Sequence, residues 1–300
     1  MFFGFGARER STIEVRSLNK EYLTNFKSFK KALGDYNSRE SASIHNRNLF
    51  VLDFDGDVMA SQSEALTQEI TSILISADPN NCEVLVRLQS PGGAAHAYGY
   101  AASQLERIRD AGFKLTVAVD KVAASGGYMM AVVADEILAA PYSIIGSVGV
   151  VAEFPNFNDL LKTLGVNYLQ YTAGKYKRTV SMLAPVTEEG ESKFREDLDT
   201  TYNLFRDHVA KFRDGIDIDK VATGEHWHGV NAKDLGLIDE VMTSEEYILK
   251  KITSHNVLSV RYTGNQKTLA DKLGSRFTTY AESLFMRMFS KIFGDFKYLV

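Results

Sequence analysis

Apolar and polar positions along this chain follow two periods, and the change between them marks where one kind of element gives way to another. Val15, Leu18, Tyr22, Phe26, Phe29, Leu33 and Tyr36 recur at spacings of three and four, which predicts a single apolar stripe on a helix. Gly34 and the polar stretch 37–48 end it. The stripe fits a helix packed on its own domain, and equally a helix shared between subunits, because a narrow seam is what helix pairing uses. From Leu49 onward the pattern changes to short, continuous apolar runs. Strands are predicted over 49–54, 84–88 and 115–119, and then near 136–138, 147–152 and 168–172. Helices are predicted over 63–75, with Ser63 as N-cap, and over 95–110. Uninterrupted apolar strands alternating with helices imply an α/β fold whose largely parallel sheet is covered on both faces.

Further on, one long charged helix is predicted over 188–212, with Leu198, Tyr202, Phe205 and Val209 as its buried stripe. Short helices over 218–222 and 232–235 flank Gly224-Glu225-His226-Trp227-His228-Gly229, and the apolar run 237–241 closes the core. The tail, 268–293, is amphipathic: Leu269, Leu273, Phe277, Tyr280, Leu284, Met288 and Ile292 alternate with Lys272, Arg276, Arg287 and Lys291. That pattern suits docking on the core or on a neighbouring subunit. It also suits peripheral contact with a membrane surface, which basic polar faces favour. The chain thus divides into a basic helical arm (1–47), a core domain (48–256) and an amphipathic C-terminal helix (257–300).

Charge sharpens this division. The net charge is −4, but residues 1–47 carry nine Lys/Arg against five Asp/Glu and residues 267–300 carry six against three, so the middle is strongly acidic. An acidic body with basic ends argues against a nucleic-acid partner. The lone Cys82 excludes an internal disulfide framework and fits a reducing compartment. No run approaches the ~18 apolar residues of a membrane span, and 1–5 is too short for a signal-peptide core. The expected location is cytoplasmic, or peripheral to a membrane.

The candidate chemistry centres on Lys121-Val122-Ala123-Ala124-Ser125-Gly126-Gly127-Tyr128. Ser125 falls where a buried strand passes into a helix, and the glycines let the backbone turn sharply there. Such a turn lifts a hydroxyl clear of the chain and presents the first N–H groups of the helix beside it. A second loop, Ser90-Pro91-Gly92-Gly93, also follows a strand. N–H groups from Gly93 and Gly126 would together hold the oxyanion of an acyl transfer. The loops match neither phosphate-binding glycine pattern, and no cofactor is implied. The hydroxyl needs a base. No histidine lies between His96 and His208, and His226 and His228 flank a packing-type Trp227 at a spacing unsuited to zinc. A lysine amine stripped of water is the other option. Lys177 follows the strand near 168–172 and precedes the apolar 180–185, but Lys175, Arg178 and Lys121 lie close by, and the residues alone do not choose among them.

Five segments resemble the signal peptide peptidase A/SohB family of serine peptidases, most nearly its SohB branch. They are the stretch around Ser125; Ser90-Pro91-Gly92-Gly93; Gly146-Ser147-Val148-Gly149-Val150; Thr172-Ala173-Gly174-Lys175-Tyr176-Lys177-Arg178; and 224–229 with Gly236-Leu237-Ile238-Asp239-Glu240. The match runs in order from about Leu49 to Val241. The resemblance implies a Ser–Lys dyad, with Ser125 as nucleophile, Lys177 as general base and Ser147 orienting the lysine. Gly92, Gly93 and Gly126 would form the oxyanion and substrate-binding loops. It also implies a ClpP/crotonase-like core of repeated ββα units, a homo-oligomer, no metal, and cleavage of unfolded or membrane-derived peptides and proteins beside small or hydrophobic side chains. SohB-type members begin with a membrane-spanning segment, whereas the basic arm stands first here. A crotonase-like acyl-thioester enzyme and a catalytically silent oligomeric scaffold are the competing functions, since a fold does not fix a function.

Overall fold

The computed structural model describes residues 12–32 and 45–264. The predicted tail helix lies outside them, as do residues 33–44 of the arm. Residues Ile13–Tyr262 form one compact unit. In chain order its elements begin with β1 (Thr12–Ser17), α1 (Leu18–Ala32), β2 (Asn48–Asp55), α2 (Ser63–Ser76), β3 (Cys82–Gln89), α3 (Ala95–Asp110) and β4 (Lys114–Val119). The elbow region follows as β5 (Val122–Ala124), α4 (Gly126–Ala131), β6 (Glu136–Ala139), β7 (Ile144–Gly146) and α5 (Asn158–Thr163). The chain continues through α6 (Glu188–Phe212), α7 (Ile218–Val221), β8 (His226–His228), α8 (Gly229–Asp234), β9 (Glu240–Val241), α9 (Ser244–Lys251) and β10 (Asn256–Thr263).

The larger sheet has seven strands in the order β1-β10-β2-β3-β4-β6-β9. From β10 to β9 every neighbouring pair is parallel. Alternate side chains of its central strands enter two cores. Leu52, Phe54, Val84, Val86 and Leu88 face α2, α3, α4 and α6. Leu49, Val51, Leu85, Ala118 and Leu138 face Tyr247 and Ile248 of α9 and Leu18 and Tyr22 of α1. Burial on both faces is why these strands read as continuous apolar runs. The helices carry conventional start signals. Thr187 accepts a hydrogen bond from Gly190 N (3.1 Å) ahead of an acidic first turn in α6. Thr243 accepts from Glu246 N (3.2 Å) at the start of α9.

Several elements differ from the pattern-based expectation. Val15 lies in β1, not in a helix, and the helical stripe begins at Leu18. α1 is tied to its own domain: the Asn19 side chain accepts from Val257 N (2.6 Å) and donates to His255 O (2.9 Å), and the Tyr22 hydroxyl donates to Glu245. Gln62, not Ser63, occupies the N-cap of α2, and the Ser63 hydroxyl donates back to Ala60 O at 2.6 Å. β10 runs through positions 256 and 257, with Asn256 beside Asn48 and Ser259 beside Val51, so the start of the expected tail belongs to the sheet. No strand forms over 147–152 or 168–172. The first begins at Ser147, whose φ of 54° ends β7 at Gly146. The second is apolar but exposed, with no strand beside it among the described residues. The helix expected over 232–235 starts three residues earlier, at Gly229.

Glu69 is a buried carboxyl on α2 that accepts a hydrogen bond from Tyr262 N of β10 at 2.7 Å. Burial, reinforced by the neighbouring Asp53 carboxylate and opposed by the Tyr262 N–H and Arg261, raises its pKa from 4.5 to about 7. The native state therefore binds the proton more tightly than the unfolded chain does. The resulting cost to stability develops as pH rises from 4.5 to about 7 and persists above that. Glu69→Gln keeps an acceptor for Tyr262 N. Thermal melts should show it more stable than wild type at pH 8, by on the order of 2 kcal/mol, with the gap closing toward pH 4.5. Equal melts at both ends of that range would contradict this.

Candidate active site

The three-stranded sheet β5-β7-β8 builds the candidate site. Its parallel pair β5·β7 ends with Ala124 beside Gly146. The next residue on each strand is a serine, Ser125 and Ser147, and both have positive φ, 50° and 54°. A non-glycine residue rarely adopts this region and needs surrounding structure to hold it there. At Ser125 the holding bonds are Ser125 N to Gly146 O (2.8 Å) and Met129 N to Ser125 O (2.9 Å). At Ser147 the bond is from its N to Glu225 O (2.7 Å), at the entry to β8. Ser125 is the residue before α4, yet its side chain makes no capping bond. Among the described residues no hydrogen bond uses its Oγ, which leaves a half-buried hydroxyl available for chemistry.

Glycines let the surrounding backbone close on this elbow. A Cβ on Gly92, whose φ is +96°, would lie 2.7 Å from Ser125 Cβ and 2.8 Å from Gly126 N. A Cβ on Gly126 would overlap the Tyr98 ring, one on Gly127 the Ser90 carbonyl, and one on Gly93 the Val58 carbonyl. The loop carrying Gly92 and Gly93 is therefore packed directly against Ser125. The Gly92 N–H is already spent on Ser90 Oγ, at 3.1 Å. The Gly93 and Gly126 N–H groups have no hydrogen-bond partner among the described residues, which suits the role of paired oxyanion donors.

The lysine segment is placed differently. Lys177 is exposed, and its N donates to Gly174 O at 3.2 Å in a stretch without helix or strand. Within one chain the amine is not enclosed, contrary to the expectation of a base shielded from water. Its neighbour Lys175 pairs with Glu189 at 2.7 Å, and this partner raises its pKa and keeps it charged, unfit to accept a proton. Lys121 is exposed where β5 begins. Trp227 packs its ring against Gly146, while His226 and His228 are exposed; no metal-binding group occurs among the described residues. A cavity of about 630 Å³ is lined by Asp53, Glu69, Arg87, Lys121 and Arg261 among others, and Ser125 is not among its lining residues. The pattern of the sequence placed Ser90 in the glycine loop without its hydrogen-bonding role, and missed Tyr98 and Val58, which also hold that loop. A strand-end serine, a helical tyrosine and a loop valine carry no signal of such a role.

A serine raised on a strand-to-helix turn of an α/β sheet is the arrangement of a serine hydrolase. Two family models match the chain: the N-terminal model of peptidase family S49 over residues 7–105 and the peptidase family S49 model over residues 107–258. The chain belongs to peptidase family S49 and is a serine peptidase. It is 50% identical over 250 residues to a probable protease SohB of Haemophilus influenzae, covering 83% of this chain and 70% of that one. It is 44% identical over 247 residues to a probable protease SohB of Buchnera aphidicola subsp. Acyrthosiphon pisum, covering 82% and 73%. Among solved structures, a membrane-bound stomatin-specific protease, 1510-N, in complex with a substrate peptide aligns at 18% identity with a TM-score of 0.46, over 78% of this chain and 99% of that one. No described helix is long and apolar enough to cross a membrane.

Gly92→Ala should lower peptide hydrolysis by about a hundredfold or more, since small displacements at a reacting centre are this costly. It should also destabilise the fold by about 1–3 kcal/mol through backbone strain. Steady-state kinetics and thermal melts check both; wild-type turnover would show that the loop does not shape the site.

Proposed function

We propose that the chain is a serine endopeptidase whose dyad is Ser125 and Lys177, acting on extended segments of unfolded or membrane-derived peptides and proteins. The observation that supports the reading is the strained turn at Ser125, against which the loop carrying Gly92 and Gly93 packs, while the Ser125 hydroxyl and the Gly93 and Gly126 N–H groups have no hydrogen-bond partner among the described residues. In this reading Ser125 Oγ attacks the scissile carbonyl while the Lys177 amine takes its proton. The two N–H groups hold the oxyanion of the tetrahedral intermediate. The ammonium then returns the proton to the leaving amine, and water later cleaves the acyl-enzyme. Ser147, one residue beyond the strand pair that positions Ser125, orients the amine. The repeated α/β units and the glycine loops fit a ClpP/crotonase-like scaffold.

The exposure of Lys177 bears on how the dyad forms. Segment 151–187 is rich in exposed apolar side chains, including Val151 (78% exposed), Leu169 (70%) and Tyr171 (88%). An apolar surface of this kind is expected to be covered. In the proposed assembly a neighbouring copy covers it, and the base of one copy reaches the nucleophile of the next.

Ser125→Ala and Lys177→Ala should each abolish hydrolysis of an unfolded protein substrate, by a thousandfold or more, without lowering the melting temperature. Mixing the two inactive variants under exchange of subunits should restore activity at roughly a quarter of sites, as random pairing across an interface requires. Full activity of either single variant would rule out the dyad. Inactive singles whose mixture stays inactive after proven exchange would place both groups in one chain.

A further inference from the structure

We propose that Ser90 and Tyr98 are positioning residues for the oxyanion site, acting through a directed chain of hydrogen bonds. This rests on the reading of Ser125 as nucleophile and goes beyond it. Four groups are in line. Gly92 N lies 3.1 Å from Ser90 Oγ, Ser90 Oγ lies 2.5 Å from Tyr98 Oη, and Tyr98 Oη lies 2.7 Å from the Asp57 carbonyl oxygen. Chemistry fixes the direction. A carbonyl oxygen has no proton, so Tyr98 donates to Asp57. The Tyr98 oxygen is then left to accept, so Ser90 Oγ donates to it. The Ser90 oxygen in turn accepts the Gly92 N–H. Each of the two hydroxyls donates once and accepts once, an order in which the bonds polarise and strengthen one another.

The chain is buried and rigidly backed. Ser90 and Tyr98 are fully buried, so a broken link strands polar groups away from water. Tyr98 also lays its ring against Gly126, so one side chain touches both the glycine loop and the first residue after the nucleophile. The far end is anchored as well. The Asp57 carboxylate accepts from Met59 N (3.1 Å) and Ser61 N (2.9 Å), which folds the 57–61 turn. From that turn the Val58 carbonyl accepts Ala94 N at 2.8 Å. The glycine loop is thereby held at Gly92 through the hydroxyl chain and at Ala94 through Val58. Gly93, the candidate oxyanion donor, lies between the two fixed points. Ser90 and Tyr98 touch no reacting atom; they set where that N–H points.

Tyr98→Phe removes one hydroxyl and keeps the ring. It should lower kcat for peptide hydrolysis on the order of tenfold to a hundredfold, with KM changed less than about twofold. A peptide aldehyde, whose hemiacetal with Ser125 places an oxygen in the same N–H pair, should bind more weakly by the same factor as kcat falls. Ser90→Ala should behave alike, and the double variant should be no worse than Ser90→Ala alone, because a chain already cut cannot be cut again. Labelling of Ser125 by a fluorophosphonate, carried to completion, counts the folded sites and separates this effect from unfolding. Unchanged kcat in Tyr98→Phe, additive losses in the double variant, or a loss matched by fewer labelled sites would overturn the proposal. Full activity in Ser125→Ala would instead overturn the nucleophile reading, and a dead Ser125→Ala beside a fully active Tyr98→Phe would overturn the positioning role alone.

Discussion

One short contact between two strands determines the rest of this site. Ser90, just past the end of β3, forms an isolated parallel bridge with Ala123 of β5. Ser90 N donates to Val122 O at 2.8 Å and Ala124 N donates to Ser90 O at 3.1 Å. β3 belongs to the large sheet and β5 to the small one, so this bridge is where the two sheets meet. It brings the glycine loop that follows β3 against the serine that follows β5. Neither loop has the other's residues near it in sequence. A buried backbone group must find a partner, and here the partners are on opposite loops, so the pairing that satisfies the backbone also assembles the candidate oxyanion donors around Ser125.

Strain is placed by the same logic. Ser125 and Ser147 stand one residue beyond the matched pair Ala124 and Gly146, and both are held at positive φ. A left-handed conformation in a non-glycine residue costs free energy and persists only where the surroundings over-determine it. The register of β5 with β7, the bond from Ser125 N to Gly146 O and the bond from Ser147 N to Glu225 O supply that constraint. β8 completes it by placing Trp227 over Gly146. The His-Trp-His segment thus acts as a packing element in the protomer. Its histidines, which a search for a base or a metal ligand would select first, are exposed.

Much of the scaffold was legible because a sheet buried on both faces leaves continuous apolar runs. β2, β3, β4 and β6 lie where those runs predicted them, α2 and α3 fill the helical stretches between them, and α6 forms the long charged helix beyond. The elbow was legible because two glycines directly after a lone serine at a strand end mark a sharp turn. Local patterns failed where local residues do not decide the structure. Val15 carries the helical spacing but joins β1, because an edge position in the sheet is available to it. Ser63 looks like a cap, but Gln62 occupies the cap position, and its side-chain oxygen accepts a hydrogen bond from Asp55 N at 2.9 Å. Tyr98 gave no sign of its hydrogen bonds because its partners, Ser90 and the Asp57 carbonyl, come from two other loops.

Segment 151–187 is the most informative failure. Its apolar residues predicted a strand near 168–172, yet Leu169 and Tyr171 stand in solvent and no strand forms among the described residues. Exposed apolar side chains of this kind are expected to be covered by a partner, as the proposed assembly supposes. Lys177 lies in the same segment, beside a Lys175 held charged by Glu189. Covering the segment would remove water from Lys177 at the same moment as it buried the tyrosine and leucines around it. In the proposed dyad, the exposed apolar side chains and the exposure of Lys177 would then be one physical problem, which the proposed association of copies would resolve together.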